Sequence, residues 1–279
     1  MTSIAAPQQF RTLFLSDLHL GTRGCQVRPL LNFLRHHEAE TIYLVGDIID
    51  GWRLQSRWYW PDAHNDVLRC LMNKARRGTR LVYLPGNHDE FARSYNGTES
   101  SSLEFTDNAI HEAADGKRYL VVHGDCFDPV QTKAPWLAYL GDHAYAFVLV
   151  VNTGLNRVGR RLGLPYWSLS NWLKMRVKSA VNFIGHYEET VVAAAREHKV
   201  DGVICGHIHR AAVHDGFGLK YVNCGDWVES CTAVVEHFDG RMEVIRSVDL
   251  SEPAAIDEGF EGEFDGMPEA ESEGERAVA

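Results

Sequence analysis

Five short apolar runs in this chain each stop at a cluster of Gly, Asp, Asn or His, and that recurrence constrains the fold more than any other feature. Arg11–Ser16 runs into Asp17-Leu18-His19, and Thr41–Val45 into Gly46-Asp47-Ile48-Ile49-Asp50. Arg80–Leu84 runs into Pro85-Gly86-Asn87-His88-Asp89, Arg118–Val122 into His123-Gly124-Asp125, and Gly202–Cys205 into Gly206-His207-Ile208-His209. Runs this short and this continuously apolar fit strands buried on both faces. Leu219–Val222, Thr232–Glu236 and Met242–Arg246 read as further strands. Between them, Val27–His37 and Pro61–Arg77 carry helical patterns; the second has proline near its start and Gly78 as its stop. Strands alternating with helices predict an α/β layered sandwich, central β-sheets flanked by helices. Ligands in such sheets sit beyond the carboxyl ends of strands, which is where the clusters fall.

The residue types in those clusters point to metal chemistry. Asp, Asn and His offer oxygen and nitrogen donors suited to Mn²⁺, Fe or Zn²⁺ rather than to soft ions, and Mn²⁺ is the expected metal. Asp17 and His19 are two apart, as are His207 and His209; at a strand end that spacing predicts side chains on one face. Two divalent ions roughly 3.5–4 Å apart need a shared carboxylate between them, and Asp47 is the candidate. One ion would take Asp17, His19, Asp47 and His209, the other Asp47, Asn87, His123 and His207. Water activated between the two ions, its pKa brought toward about 7, would be the nucleophile. The nine histidines outside the clusters, His64 and His111 among them, read as surface or structural.

The rest of the chain bounds the setting. The 279 residues suit one domain over 10–250 with an insertion, followed by a tail. Residues 131–198 interrupt the strand rhythm with a largely helical, Trp- and Leu-rich stretch, predicted to be a helical insertion or lid. Within 131–186, seven basic residues, including Arg157, Arg160 and Arg161, face a single acid, Asp142. Mixed with Trp136, Trp167 and Trp172, they fit an amphipathic surface at an anionic membrane. Residues 251–279 hold ten acids and one base, Arg276, and so most of the net charge of -10; this tail is expected to be disordered. The six cysteines form no C-x-x-C pair and read as free thiols. No signal peptide or membrane span is apparent, so a cytoplasmic protein is expected, peripheral at the inner face of the membrane. Trp52 and Arg53, beside Arg57, Trp58, Tyr59 and Trp60, are candidates to clamp a base or a sugar phosphate.

With all five clusters in order over residues 10–247, the chain resembles the calcineurin-like metallophosphoesterase superfamily, and the metal-ligand sets above match that family's pattern. The resemblance implies the layered metallophosphoesterase sandwich. It makes His88 the histidine near the leaving group, with Asp89 orienting it, and makes Asp50 and Asp125 supports that hold ligands in place. Within the superfamily, Asp17-Leu18-His19-Leu20-Gly21, the short Gly46–Asp50 segment with Trp52 after it, and the insert are most similar to the UDP-2,3-diacylglucosamine pyrophosphohydrolase group. That likeness implies a nucleotide-sugar lipid substrate, cleaved to UMP and 2,3-diacylglucosamine 1-phosphate in lipid A biosynthesis. The best-known members of that group carry arginine where this chain has His88.

Two other readings compete. One is a phosphodiesterase or phosphomonoesterase of the same fold on another substrate; nucleic acid is disfavoured, because the body lacks a long basic stripe. The other is a binding scaffold that has lost catalysis, against which stand the complete ligand set and His88.

Overall fold

Alternation along the apolar runs decides which layer each strand residue fills. The computed structural model describes residues 6–100, 102–128 and 178–247. In it, β1 (Gln8–Leu15) sends Leu13 and Leu15 to one side and Phe14 to the other. β2 (His37–Val45) divides Ile42 and Leu44 from Tyr43 and Val45, and β3 (Arg80–Leu84) divides Leu81 and Tyr83 from Val82 and Leu84. The first set packs under α1 (Val27–His36) and the longer helix α3 (Asp62–Arg76) through Leu30, Phe33, Leu34, Val67 and Leu71. A short helix α2 (Gly51–Ser56) lies between those two in sequence.

The second set meets another sheet. Phe14, stacked on Tyr43 at 5.0 Å, packs in one core with Tyr119 and Val121 of β7 (Arg118–Val121), Ile204 of β8 (Gly202–Cys205) and Val222 of β10 (Leu219–Asn223). The far face of that sheet, with Leu120, Val203, Cys205 and Tyr221, packs under α4 (Lys178–Glu197) through Tyr187, Val191, Val192 and Ala195. The layers therefore run helix, sheet, sheet, helix, and each fully buried Leu, Val or Phe contributes about 1.5–3 kcal/mol.

The first sheet runs β12–β11–β1–β2–β3–β5–β4, where β4 is Glu99–Ser100, β5 Leu103–Phe105, β11 Thr232–Glu236 and β12 Met242–Arg246. The second runs β6–β7–β8–β10–β9, with β6 at Ala109–Glu112 and β9 at Ala212–Gly216. β1, β2 and β3 pair in parallel, as do β7 and β8. Parallel strands end on the same edge, so the five clusters leave their strands in two matched groups.

β2 starts at His37, earlier than its apolar run suggests, because Gln8, Gln9 and Phe10 pair with His37, Glu38 and Ala39. The imidazoles of His36 and His37 bond the carbonyls of Asn32 and Phe33, closing the last turn of α1. Gly78, at φ +105, follows α3 and supplies the left-handed stop expected there. The expected insertion over 131–198 lies largely outside the described residues, and its described end is α4. The acidic segment 251–279 also lies outside them.

Candidate metal centre

Backbone hydrogen bonds carry the parallel pairing of β1 and β2 past the strand ends. Asp17 N–H donates to Gly46 O (3.0 Å), His19 N–H to Asp47 O (2.9 Å) and Leu20 N–H to Ile48 O (2.9 Å). Gly206 N–H donates to His123 O (3.1 Å) in the second sheet, and Trp227 N–H to Asp17 O (3.0 Å).

Within this ladder the backbone does something a strand does not. Among the described residues, eight non-glycine residues have positive φ, and five of them are Asp17, His19, Asp47, His207 and His209, at +50 to +67°. Left-handed backbone costs a non-glycine residue of order 1–3 kcal/mol and collects where a site demands it. The two-residue spacing in Asp17/His19 and His207/His209 therefore works through a repeated left-handed turn at alternate residues. The strand alternation expected from sequence is not its cause.

Glycines let the loops close on one another. A Cβ on Gly86 would lie 2.2 Å from Asp47 Oδ1 and 2.7 Å from His123 Nε2, and one on Gly46 would lie 2.2 Å from His123 Nδ1. The space at these positions is taken by the candidate ligands themselves.

The donor atoms converge on two points. At the first, Asp17 Oδ1 lies 3.0 Å from His209 Nε2 and 3.8 Å from His19 Nε2, and the two imidazole nitrogens are 3.4 Å apart. At the second, Asp47 Oδ2 lies 3.4 Å from His123 Nε2, and Asp47, His123 and His207 present ligand atoms within 4.8 Å of one another. Asp47 Oδ2 also lies 4.0 Å from His19 Nε2, so this carboxylate faces both points. Asn87 Oδ1 and His123 Nε2 are buried without a hydrogen-bond partner among the described residues. Donors that share a cation at about 2.0–2.2 Å stand roughly 3–3.5 Å apart, and orphaned buried donors are what such a cation would satisfy. The residues present fit two divalent ions.

The calcineurin-like phosphoesterase profile matches residues 10–211, a span that contains all five clusters. The chain belongs to the calcineurin-like phosphoesterase family. Membership makes it a metal-dependent phosphoesterase. Among similar proteins, UDP-2,3-diacylglucosamine hydrolase of Chromohalobacter salexigens is 28% identical over 231 residues, covering 77% of this chain and 88% of that protein. The enzymes of the same name from Azotobacter vinelandii and Escherichia coli O7:K1 are both 26% identical, over 77% and 73% of this chain and 90% and 84% of their own lengths.

In this phosphoesterase the carboxylates around the ligands are deployed differently from the expectation. Asp89 faces the backbone of the neighbouring loops. It lies fully buried and accepts from Ile48 N–H (2.8 Å), Gly86 N–H (2.6 Å) and Tyr83 O–H (2.6 Å), which staples the β2 and β3 loops together. The carboxylate beside His88 is Asp50, whose Oδ2 lies 3.1 Å from Nδ1 of His88 and 3.1 Å from Nδ1 of His19. Its other oxygen accepts from Arg53 N–H (2.9 Å) and caps α2, and Trp52 on that helix lies with its ring 4.3 Å from that of His88.

Asp125 pairs with Arg93 at 2.9 Å rather than with a ligand. His207 is met instead by Asp128, whose Oδ2 lies 3.0 Å from Nε2, which leaves Nδ1 for a metal. His123 is turned the other way, its Nδ1 bonded to Val45 O at 2.9 Å. Sequence spacing carried no signal for Asp128 or Arg93. Arg157, Arg160 and Arg161 lie outside the described residues.

Electrostatics agrees with the geometry. Burial alone would raise Asp17 and Asp47, yet His209 beside Asp17 lowers it to about 2, and His123 and His88 hold Asp47 well below the usual carboxylate range. Burial would likewise lower His123 and His209, but Asp47 raises the first well above its ordinary value and Asp17 raises the second. A centre that draws protons onto buried imidazoles is one that favours a cation in their place.

Proposed function

We propose that this phosphoesterase is a dinuclear enzyme that hydrolyses UDP-2,3-diacylglucosamine to UMP and 2,3-diacylglucosamine 1-phosphate. The observation that carries the dinuclear part is Asp47 Oδ2 facing two groups of converging donors. The substrate reading is supported by the named relatives, aligned over about three quarters of this chain.

Asp17, His19, Asp47 and His209 would hold one ion, and Asp47, Asn87, His123 and His207 the other. Two divalent ions supply an activated water and a clamp on phosphoryl oxygens, with Mn²⁺ the metal we expect. Water adds at the α-phosphorus, the bond to the bridging oxygen breaks, and the sugar 1-phosphate leaves. The carboxylate beside Nδ1 of His88 favours the proton on that nitrogen. Trp52, packed on the other ring, fixes the imidazole's plane, and Trp52 with Arg53 stands where substrate would pass. The basic, aromatic composition of 131–186 supports contact with an anionic membrane, and with it a cytoplasmic place at the inner membrane face; among the described residues no helix is long and apolar enough to cross one.

A second reading has its own observation. His88 is held by Asp50 with Nε2 4.0 Å from Asp47 Oδ2, the arrangement of a general acid at the edge of the centre. An ester that expels an alkoxide gains more from such an acid than a pyrophosphate does.

The deciding experiment is hydrolysis of UDP-2,3-diacylglucosamine with Mn²⁺, beside bis-p-nitrophenyl phosphate, with Asp47→Ala as control. Release of UMP that the control abolishes supports the first reading. Turnover of the ester alone supports the second. A protein that binds no metal and turns over neither is a scaffold.

A further inference from the structure

The two metal points differ in how they are built. Asp17, His19 and Asp47 leave adjacent parallel strands of one sheet and are tied by main-chain hydrogen bonds, so at the first point only His209 comes from across the molecule. The second point shares Asp47 and would take Asn87, whose buried Oδ1 lacks a hydrogen-bond partner among the described residues, from the loop after β3, whereas His123 and His207 stand on loops of the other sheet. Its size therefore depends on the gap between the two sheets at that edge.

Arg93 spans that gap. It lies on the 3-10 turn Glu90–Tyr95, which follows directly from Asn87-His88-Asp89. Its Nη2 is 2.9 Å from Asp125 Oδ2 and its Nη1 3.0 Å from Asp107 Oδ1. Asp125 opens the turn Asp125–Phe127, two residues after His123, and Asp128 at the end of that turn meets His207 at 3.0 Å. Hydrogen bonds from Phe127 N–H to Gly124 O (3.1 Å) and from Asp128 N–H to Asp125 O (3.1 Å) keep the turn short. One chain of contacts thus joins the segments bearing Asn87, His123 and His207.

We propose that Arg93 is a positioning residue for the second metal, its guanidinium holding the Asn87 loop against the turn that carries His123 and steadies His207. The forked guanidinium matters as well as the charge, since it reaches two carboxylates in fixed directions. The proposal rests on the dinuclear reading above.

The test is Mn²⁺ binding to the metal-stripped full chain, followed by calorimetry. Wild type is expected to bind two ions. Arg93→Gln is expected to keep the first step within about twofold and to weaken the second by about tenfold or more, the scale of a lost support behind a metal ligand. Arg93→Lys is expected to fall between, and Asp125→Asn to match Arg93→Gln, which also covers the case of a variant that fails to fold. A wild type that binds two ions, with both variants losing the two steps equally or losing neither, overturns the proposal alone. A wild type that binds fewer than two overturns the dinuclear reading and the proposal with it.

Discussion

Asp50 Oδ2 lies 3.1 Å from His88 Nδ1, although 37 residues separate the pair and Asp89 is next to His88 in sequence. Asp50 is buried, and the imidazoles of His19 and His88 hold its carboxyl far below the ordinary carboxylate range against the upward push of burial. It therefore stays charged at any working pH and fixes the His88 ring.

Removing either member of that pair should hurt an ester more than a pyrophosphate. His88→Ala is expected to lower kcat on an alkyl phosphodiester, which expels a basic alkoxide, by about 10²–10⁴-fold, the range for a general acid, and on a nucleotide-sugar pyrophosphate by about tenfold or less. Asp50→Ala is expected to follow the same division, with an added loss of metal at the His19 point. Steady-state kinetics on both substrates checks this, and equal losses on the two would remove the leaving-group role from His88.

Two glycine substitutions should separate site from scaffold. Gly86→Ala places a Cβ 2.2 Å from Asp47 Oδ1, so it should abolish stoichiometric metal and with it activity. Gly78→Ala meets nothing within 4 Å and should cost only its left-handed backbone, about 1–2 kcal/mol, with metal content intact. Metal analysis beside a denaturant curve for each variant checks both.

The candidate ligands stand out in the sequence because each falls at a strand end in a short, self-contained cluster. The α/β reading was legible for the same reason, since strands such as Tyr119–Val121 and Val203–Cys205 are buried on both faces and leave no polar alternation. What sequence could not carry was contact between clusters. Asp50 and Asp89 are both acids beside a metal motif, and only the folded loops show that Asp89 bonds backbone N–H groups while Asp50 faces the imidazoles. Asp128 meets His207 across 79 residues, a separation that no spacing rule encodes. The left-handed turns at Asp17 and His19 were hidden too, because Asp and His take positive φ more readily than most residues but still do so only in a small minority of positions.

Far from the metals, Glu236 should govern part of the acid stability. It is fully buried and accepts from Arg11 (2.7 Å), Thr12 (2.6 Å), His111 (2.9 Å) and Ala114 N–H (2.8 Å). Burial would raise it, but His111 and the other donors lower it to about 2 from 4.5. The folded state thus binds its proton less readily than the unfolded state, so its contribution is present above about pH 4.5 and is lost as pH falls toward 2. Its full size is of order 3 kcal/mol. In metal-free protein, Glu236→Gln is expected to be less stable than wild type at pH 6, with the gap closing as pH falls through that window. A gap that stays constant from pH 6 to pH 3 would show that Glu236 acts through shape alone.

Metal should reverse the sign of the neutral-pH dependence. In metal-free protein, His123, His19 and His209 are raised above the ordinary 6.5, because Asp47, Asp50 and Asp17 outweigh the desolvation that would lower them. A raised imidazole contributes stability that is fully present below its unfolded pKa of about 6.5 and lost as pH rises through the folded value. Metal-free protein should therefore lose stability as pH rises above 6.5. Mn²⁺ must displace those same protons to bind, so its affinity should climb over the same range and level off once the imidazoles are neutral. Melting curves at pH 6 and pH 8.5, with chelator and with saturating Mn²⁺, check both arms. The stabilisation by metal is expected to be larger at pH 8.5, and a larger stabilisation at pH 6 would mean that these imidazoles are not the groups the metal meets.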